Sequence, residues 1–215
     1  MVDGASTDGT LRILEEFVAK DTRFRYVSEP DKGIYDAFNK GWRMARGEWV
    51  HYLGSDDRLT KNSFTDLLKE DLDGVAVVSG SAYIVKVDGS IVLQKSLGWH
   101  KGCHQAKLTR RKVLKEMRGF DTSYKVLADA ELCVRMDNKG YAIVTVDSPV
   151  AYFAMGGISQ QMSTFLLLYR ERNRIYAQRK DVANPSCRAL RTTGQAVLSD
   201  IYRRIRKSLR NTLWH

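Results

Sequence analysis

The chain has 215 residues, 43% hydrophobic and 28% charged, with a formal net charge of +10. That balance suits one sizeable globular core and excludes a disordered chain. It also lacks any apolar run near the ~20 residues needed to span a bilayer, and polar "DGASTDGT" (3–10) stands where a signal peptide would be apolar.

In chain order, Leu11, Leu14, Phe17 and Val18 recur at helical spacing over 10–20, with Asp8 or Ser6 as the cap. A short strand over 24–28 precedes a helix over 35–45 that puts Phe38, Trp42 and Ala45 on one face. A strand at 48–53, a helix at 62–70 and a strand at 74–80 follow. Residues 81–94 read as a hairpin turning at Asp88-Gly89. Beyond it come a strand near 105–109, a helix near 111–117, and a helix near 128–139 that Gly140 ends. Residues 160–212 read as two helices parted around Asn184-Pro185. Alternation of this kind predicts an α/β domain with a mostly parallel sheet flanked by helices over 1–160, then a helical basic segment over 161–215.

Charge supports that division. From Phe165 onward there are 12 Lys/Arg against 3 Asp/Glu, a net of +9, which leaves about +1 for residues 1–164. Three cysteines (Cys103, Cys133, Cys187) without a CxxC spacing are expected to be reduced thiols in a cytosolic setting.

The stretch "VHYLGSDDRL" (50–59) ends a strand at Gly54 and delivers two adjacent carboxylates, Asp56 and Asp57. In open α/β sheets ligands sit beyond the carboxyl ends of strands, so the pair is expected on that rim. Two carboxylates there suit a hard divalent cation that bridges a diphosphate. A solvated turn or a helix cap remains open from the residues alone.

The company of that pair is more specific. "VDGASTDGT" (2–10), "SEPDKGIYDAFNKGWRMARGEW" (28–49), "YLGSDD" (52–57), "CHQAKLTRR" (103–111), "YKVLADAELCVRM" (124–136) and "FAMGGIS" (153–159) occur in this order. Together they resemble the family-2 glycosyltransferases of the GT-A fold, in particular the bacterial exopolysaccharide branch that includes colanic acid enzymes. The resemblance implies an enzyme that moves a sugar from a nucleotide-sugar donor to a lipid-linked or polysaccharide acceptor, with inversion and with Mg²⁺ or Mn²⁺.

By the same resemblance, Asp3 contacts the nucleotide base, Asp57 binds the metal and Asp56 lies on the sugar–ribose side. Asp129 is the catalytic base. Asp31, Lys32 and Gly33 form a turn at the nucleotide, and Asp36 and Asn39 share one helix face beside it. Many family members carry an arginine just before that asparagine; Phe38 stands there instead, so an arginine contact to phosphate must come from elsewhere. His104 and Gln105 line the acceptor side. Read without the family, Asp129 could equally cap a helix, and Glu131 is the rival base. Zinc on His100, Cys103 and His104 fails for want of a fourth ligand.

The resemblance also implies that the family's first strand, with a Pro-x-x-Asn-like segment, and the helix after it precede what is residue 2 here. The chain is therefore expected to enter its fold in the middle. An alternative reading is an inactive sugar-nucleotide-binding or scaffold protein.

In the tail, Leu198, Ile201, Tyr202, Ile205, Leu209 and Leu213 form an apolar stripe among Arg203, Arg204, Arg206, Lys207 and Arg210. That pattern predicts a helix on an anionic membrane surface, hence a cytoplasmic protein peripheral to the inner face of the cell membrane. A docking helix with a solvated basic face is the other reading; no nucleic-acid motif accompanies the charge.

Overall fold

A computed structural model of the chain describes residues 1–69, 71–96, 102–157, 162–179 and 181–195. Its strands are β1 (Val2–Asp3), β2 (Val27–Ser28), β3 (Trp49–His51), β4 (Arg58–Leu59), β5 (Val75–Val85), β6 (Ile91–Gln94), β7 (Lys107–Arg110) and β8 (Ala142–Ala154). The helices are α1 (Thr10–Lys20), α2 (Ile34–Met44), α3 (Ser63–Leu67), α4 (Arg111–Glu116), α5 (Ala128–Asn138) and α6 (Phe165–Ala177). Residues 185–195 are helical as well.

β5 is the axis of a six-stranded sheet ordered β3-β7-β5-β8-β4, with β6 also paired to β5. Its first eight residues, "VAVVSGSA", are all buried, as a strand covered on both faces requires. On one face lie Val50, Tyr52, Ala76 and Val77 with the apolar sides of α2, α4, α5 and α6. On the other, Val75, Val78, Leu108, Val146 and Val150 surround Leu67 of α3. Each fully buried large side chain of this kind, such as Leu67 or Leu114, contributes roughly 1.5–3 kcal/mol through apolar burial.

The α/β class with helices on the sheet agrees with the expectation. Strand direction departs from it. Among the described residues β1–β2 and β5–β8 pair in parallel, whereas β3–β7, β4–β8, β5–β6 and β5–β7 pair antiparallel. The reason is local: β5 runs without a break from Val75 to Val85, so the expected strand and the first hairpin arm are one element, and the chain returns antiparallel beside it twice, as β6 and β7.

β1 and β2 form a separate two-stranded sheet. α2 ties it to the rest: Gly41 packs beside Val2, and the Met44 carbonyl accepts from Arg25. The segment after 160 is joined to this core, since Ile175 of α6 packs in the same cluster as Tyr124 and Leu132.

Candidate active site

The two adjacent carboxylates stand where the rim argument puts them. After β3 the chain turns at Gly54, whose carbonyl accepts the Asp57 amide at 3.2 Å. β4 then pairs with β8 at Ala151 and Tyr152. A Cβ on Gly54 would lie 2.6 Å from Asp57 Oδ2 and 3.0 Å from Asp56 Oδ1, so both carboxylates close over this glycine. Asp57 is buried, and its Oδ1 accepts the Ala154 amide at the end of β8 at 2.9 Å. Burial, reinforced by the Asp56 charge, pushes its pKa above the ordinary carboxylate value. Asp56 is exposed.

Two converging hard oxygen donors, one of them costly to keep charged without a cation, fit Mg²⁺ or Mn²⁺. Among the described residues no group of three or more His, Cys, Asp or Glu gathers to hold a metal alone. The remaining ligands would have to come from a bound diphosphate and water.

Next to Asp57 lies the turn 103–105. The Gln105 side chain hydrogen-bonds Asp57, and its Oε1 accepts the Cys103 thiol at 3.0 Å. His51 Nε2 meets the Gln105 carbonyl at 2.8 Å. His104 is stacked on Phe38 and Tyr52 at 5.5 and 5.2 Å, with Phe120 edge-on. Burial drives its pKa down to about 4, against the opposing pull of Asp129. Burial pushes the Cys103 thiol up to about 11, and the charges of both Asp57 and Asp129 act in the same direction. The 103–105 turn is therefore within electrostatic reach of both Asp57 and Asp129. Of the residues weighed for zinc, His104 is enclosed by rings, and His100 lies outside the described residues.

Asp129 stands in the first turn of α5. Its Oδ1 is 3.1 Å from the Tyr35 hydroxyl, which also donates to the Val126 carbonyl at 2.6 Å. Glu131, the rival, points into the fold. It is 3% exposed and paired with Arg135 at 2.7 Å, and Arg135 also donates to the carbonyls of Met117 and Gly119.

The residues expected on the nucleotide side form a second group. Asp3, at the end of β1, accepts from the Ser6 amide at 2.9 Å, from the Ser6 hydroxyl, and from Ser28 Oγ at 2.6 Å. The Ser28 and Ser6 hydrogen bonds hold its pKa below the ordinary value. The Gly4 backbone lies against Asp31, whose carboxylate would be 2.8 Å from a Cβ there. Asp31 accepts the Gly33 amide at 2.8 Å and Asp36 the Lys32 amide at 3.0 Å, which shapes the loop entering α2. Lys32 and Gly33 are exposed.

Asn39 does not join this group. It is 4% exposed, its Nδ2 donates to the Phe120 carbonyl at 2.8 Å, and its Oδ1 accepts Phe120 N and Trp42 Nε1. Sharing a helix face with Asp36 put it on the expected ligand side, but its amide is spent on the fold.

Tyr35, Tyr52 and Ser28 carried no sequence signal as site residues. They are an aromatic helix residue, a residue just after β3 and a strand-end serine. Only the three-dimensional arrangement brings Tyr35 to Asp129, Ser28 to Asp3 and Tyr52 to the His104 ring.

The model for glycosyl transferase family 2 matches residues 1–126. A Mycobacterium bovis (strain BCG / Pasteur 1173P2) protein named PGL/p-HBAD biosynthesis glycosyltransferase is 31% identical over 173 residues, 74% of this chain and 66% of that protein. The Escherichia coli chondroitin synthase is 27% identical over 150 residues, 64% of this chain and 22% of that one. The chain thus spans just under two thirds of the mycobacterial relative and about a fifth of the synthase.

Among solved structures, S. aureus TarS 1-349 in complex with UDP-GlcNAc superposes over 93% of this chain and 61% of its own, with a TM-score of 0.63 and 18% identity. The Pyrobaculum calidifontis mannosyltransferase PcManGT, in complex with GDP-Man and Mn²⁺, covers 94% of this chain and 65% of its own, with a TM-score of 0.60 and 17% identity. At these identities the structural likeness speaks for the fold.

Proposed function

The chain belongs to glycosyl transferase family 2, and from that premise we propose that it transfers a sugar from a nucleotide-sugar donor to a lipid-linked or polysaccharide acceptor, with inversion and with a divalent cation. The observation that carries this reading is the closure of Asp56 and Asp57 over Gly54, with the charges of Asp57 and Asp129 both felt at Cys103. The solved relatives in complex with UDP-GlcNAc and with GDP-Man and Mn²⁺ support a donor of this chemical class.

The roles follow from the chemistry of each residue. Asp57 would hold Mg²⁺ or Mn²⁺, which would supply positive charge to the departing diphosphate, with Asp56 beside it on the sugar–ribose side. The loops around Asp3 and 31–33, with Asp36 at the start of α2, form the nucleotide side. Asp129 accepts the proton of an acceptor hydroxyl. That oxygen forms its bond to the anomeric carbon as the bond to the diphosphate breaks, and the electron pair leaves with the nucleoside diphosphate. His104 remains neutral at physiological pH, so with Gln105 it shapes the acceptor side without adding charge.

The test is release of nucleoside diphosphate from a panel of UDP- and GDP-sugars, with Mn²⁺ or Mg²⁺ and a polyprenyl-linked or oligosaccharide acceptor. Asp57→Ala and excess chelator should each abolish turnover. Asp129→Asn should retain donor affinity and lose at least ~100-fold in transfer, the scale of general-base catalysis. Full turnover in chelator would remove the metal from the mechanism. Donor binding without transfer to any acceptor would favour a sugar-nucleotide-binding protein instead.

A further inference from the structure

We propose that Glu171 of α6 is a positioning residue for the candidate base, acting through a clamp on the peptide segment just before α5. The inference rests on the reading of Asp129 as that base.

Glu171 lies in the basic C-terminal part of the chain, outside the span matched to the family, and is 2% exposed. A carboxylate buried that deeply is costly unless its oxygens are satisfied. No salt bridge to it occurs among the described residues. Its partners are backbone amides: Oε1 accepts from Lys125 at 2.6 Å, and Oε2 from Val126 at 3.1 Å and Leu127 at 2.9 Å. Three N–H donors aimed at one carboxylate stabilise its charge without a cation.

These amides belong to the residues that lead into α5. The helix starts after Leu127, which carries no capping side chain, so no side-chain cap fixes the start of α5. Glu171 supplies the anion from another helix. From the opposite side, the Tyr35 hydroxyl donates to the carbonyl of Val126 and lies 3.1 Å from Asp129 Oδ1. Burial, then the Asp129 charge, keeps Tyr35 protonated. The residue-126 backbone is thus held by its N–H from α6 and by its carbonyl from α2, and Asp129 follows three residues later. A displacement of about 1 Å at a reacting group can cost ~100-fold in rate, so the clamp bears on turnover more than on donor binding.

Glu171→Gln keeps the shape but leaves one acceptor oxygen for three donors and turns an NH₂ toward them. Tyr35→Phe loosens the same peptide from the other side and guards against a folding defect peculiar to Glu171→Gln. Both are compared with Asp129→Asn and with Glu171→Gln/Asp129→Asn, by steady-state transfer and amide hydrogen exchange. The expected result is a loss of at least ~10-fold in kcat for each clamp variant with donor KM within ~2-fold, and faster exchange at 125–127. In the Asp129→Asn background Glu171→Gln should cost less than ~2-fold more, since its effect passes through Asp129. Wild-type kcat in both clamp variants, where Asp129→Asn has lost it, would overturn the clamp and leave the base reading standing. An equal cost in both backgrounds would assign Glu171 to the fold alone. Wild-type kcat in Asp129→Asn would overturn the base reading and the clamp with it.

Discussion

At the scale of single residues, two glycines separate backbone strain from steric contact. Gly89 and Gly119 both have positive φ, +78° and +71°, where a side chain is disfavoured. A Cβ at Gly89 would meet nothing within 4 Å. At Gly119 it would lie 2.2 Å from Asn39 Oδ1 and 2.5 Å from Trp42 Nε1, in the junction that binds α2 to the Phe120 turn. Gly89→Ala is expected to cost about 1 kcal/mol and Gly119→Ala at least about 2 kcal/mol more, read by urea unfolding. Equal costs would mean that the 117–120 turn relaxes freely.

His104 gives the pH dependence. Its folded pKa of about 4 lies below the ordinary 6.5, chiefly through burial, with Lys107 and His51 pushing the same way and Asp129 opposing. The unfolded chain therefore binds this proton first. The stability linked to His104 is present above pH 6.5 and is lost as pH falls from there toward 4. His104→Phe, which suits the ring box of Phe38, Tyr52 and Phe120, should flatten the fall in unfolding free energy between pH 7 and pH 4.5. An unchanged slope would show that this imidazole is solvated.

At the scale of elements, the contrast is between the long parallel ladder and the short one. β5 and β8 pair from Val75↔Ala142 to Val85↔Ala154, whereas β1 and β2 share only Val2↔Val27 and Asp3↔Ser28. α1 adds little cover to the smaller sheet: Leu14 is buried, but Phe17 is 52% exposed and Val18 39%. Amide exchange in β5 and β8 should report the global unfolding free energy, and β1, β2 and α1 should exchange through cheaper local opening. Uniform protection would mean that the β1–β2 layer is bound more tightly than its pairing indicates. Because Asp3 and the 31–33 loop belong to that layer, a nucleotide donor should raise its protection selectively.

At the scale of the whole molecule, the two carboxylate sites depend on different parts of the chain. Asp57 is fixed by β4 and β8, and Asp129 by α2, α5 and α6. No described helix is long and apolar enough to cross a membrane. The apolar stripe and basic residues of 198–214 lie outside the described residues, and their membrane role is a proposal from sequence alone. Each Lys or Arg near an anionic surface is worth about 1 kcal/mol, so the five between 203 and 210 give reversible, salt-sensitive binding. Cosedimentation is expected with anionic liposomes and not neutral ones. It should be lost when Arg203, Arg204, Arg206 and Lys207 are changed to Gln. Equal binding to neutral vesicles would sink the electrostatic account.

The sequence by itself determined the α/β class, most helix positions and the carboxylate after β3, because these depend on periodicity, turn residues and order along the chain. α1 falls on Thr10–Lys20 as its apolar spacing requires, but its N-cap is Gly9 without a side-chain cap, and Asp8, one residue before it, accepts the Thr10 amide. β8 was not legible: Pro149 within "AIVTVDSPVAYFA" argues against a strand, yet β8 passes it beside β5 where the register shifts. Only the tertiary structure turned Asn39 inward to Phe120 and brought Tyr35 and Glu171 to the segment before Asp129, whereas Glu131–Arg135 has the i, i+4 spacing that a helix itself supplies. The tertiary assignments join residues 44 to 91 positions apart, and a buried polar group takes whichever partner the packing supplies. Local pattern placed the carboxylates on the chain; the need to satisfy each buried one decided which of them the fold itself takes up.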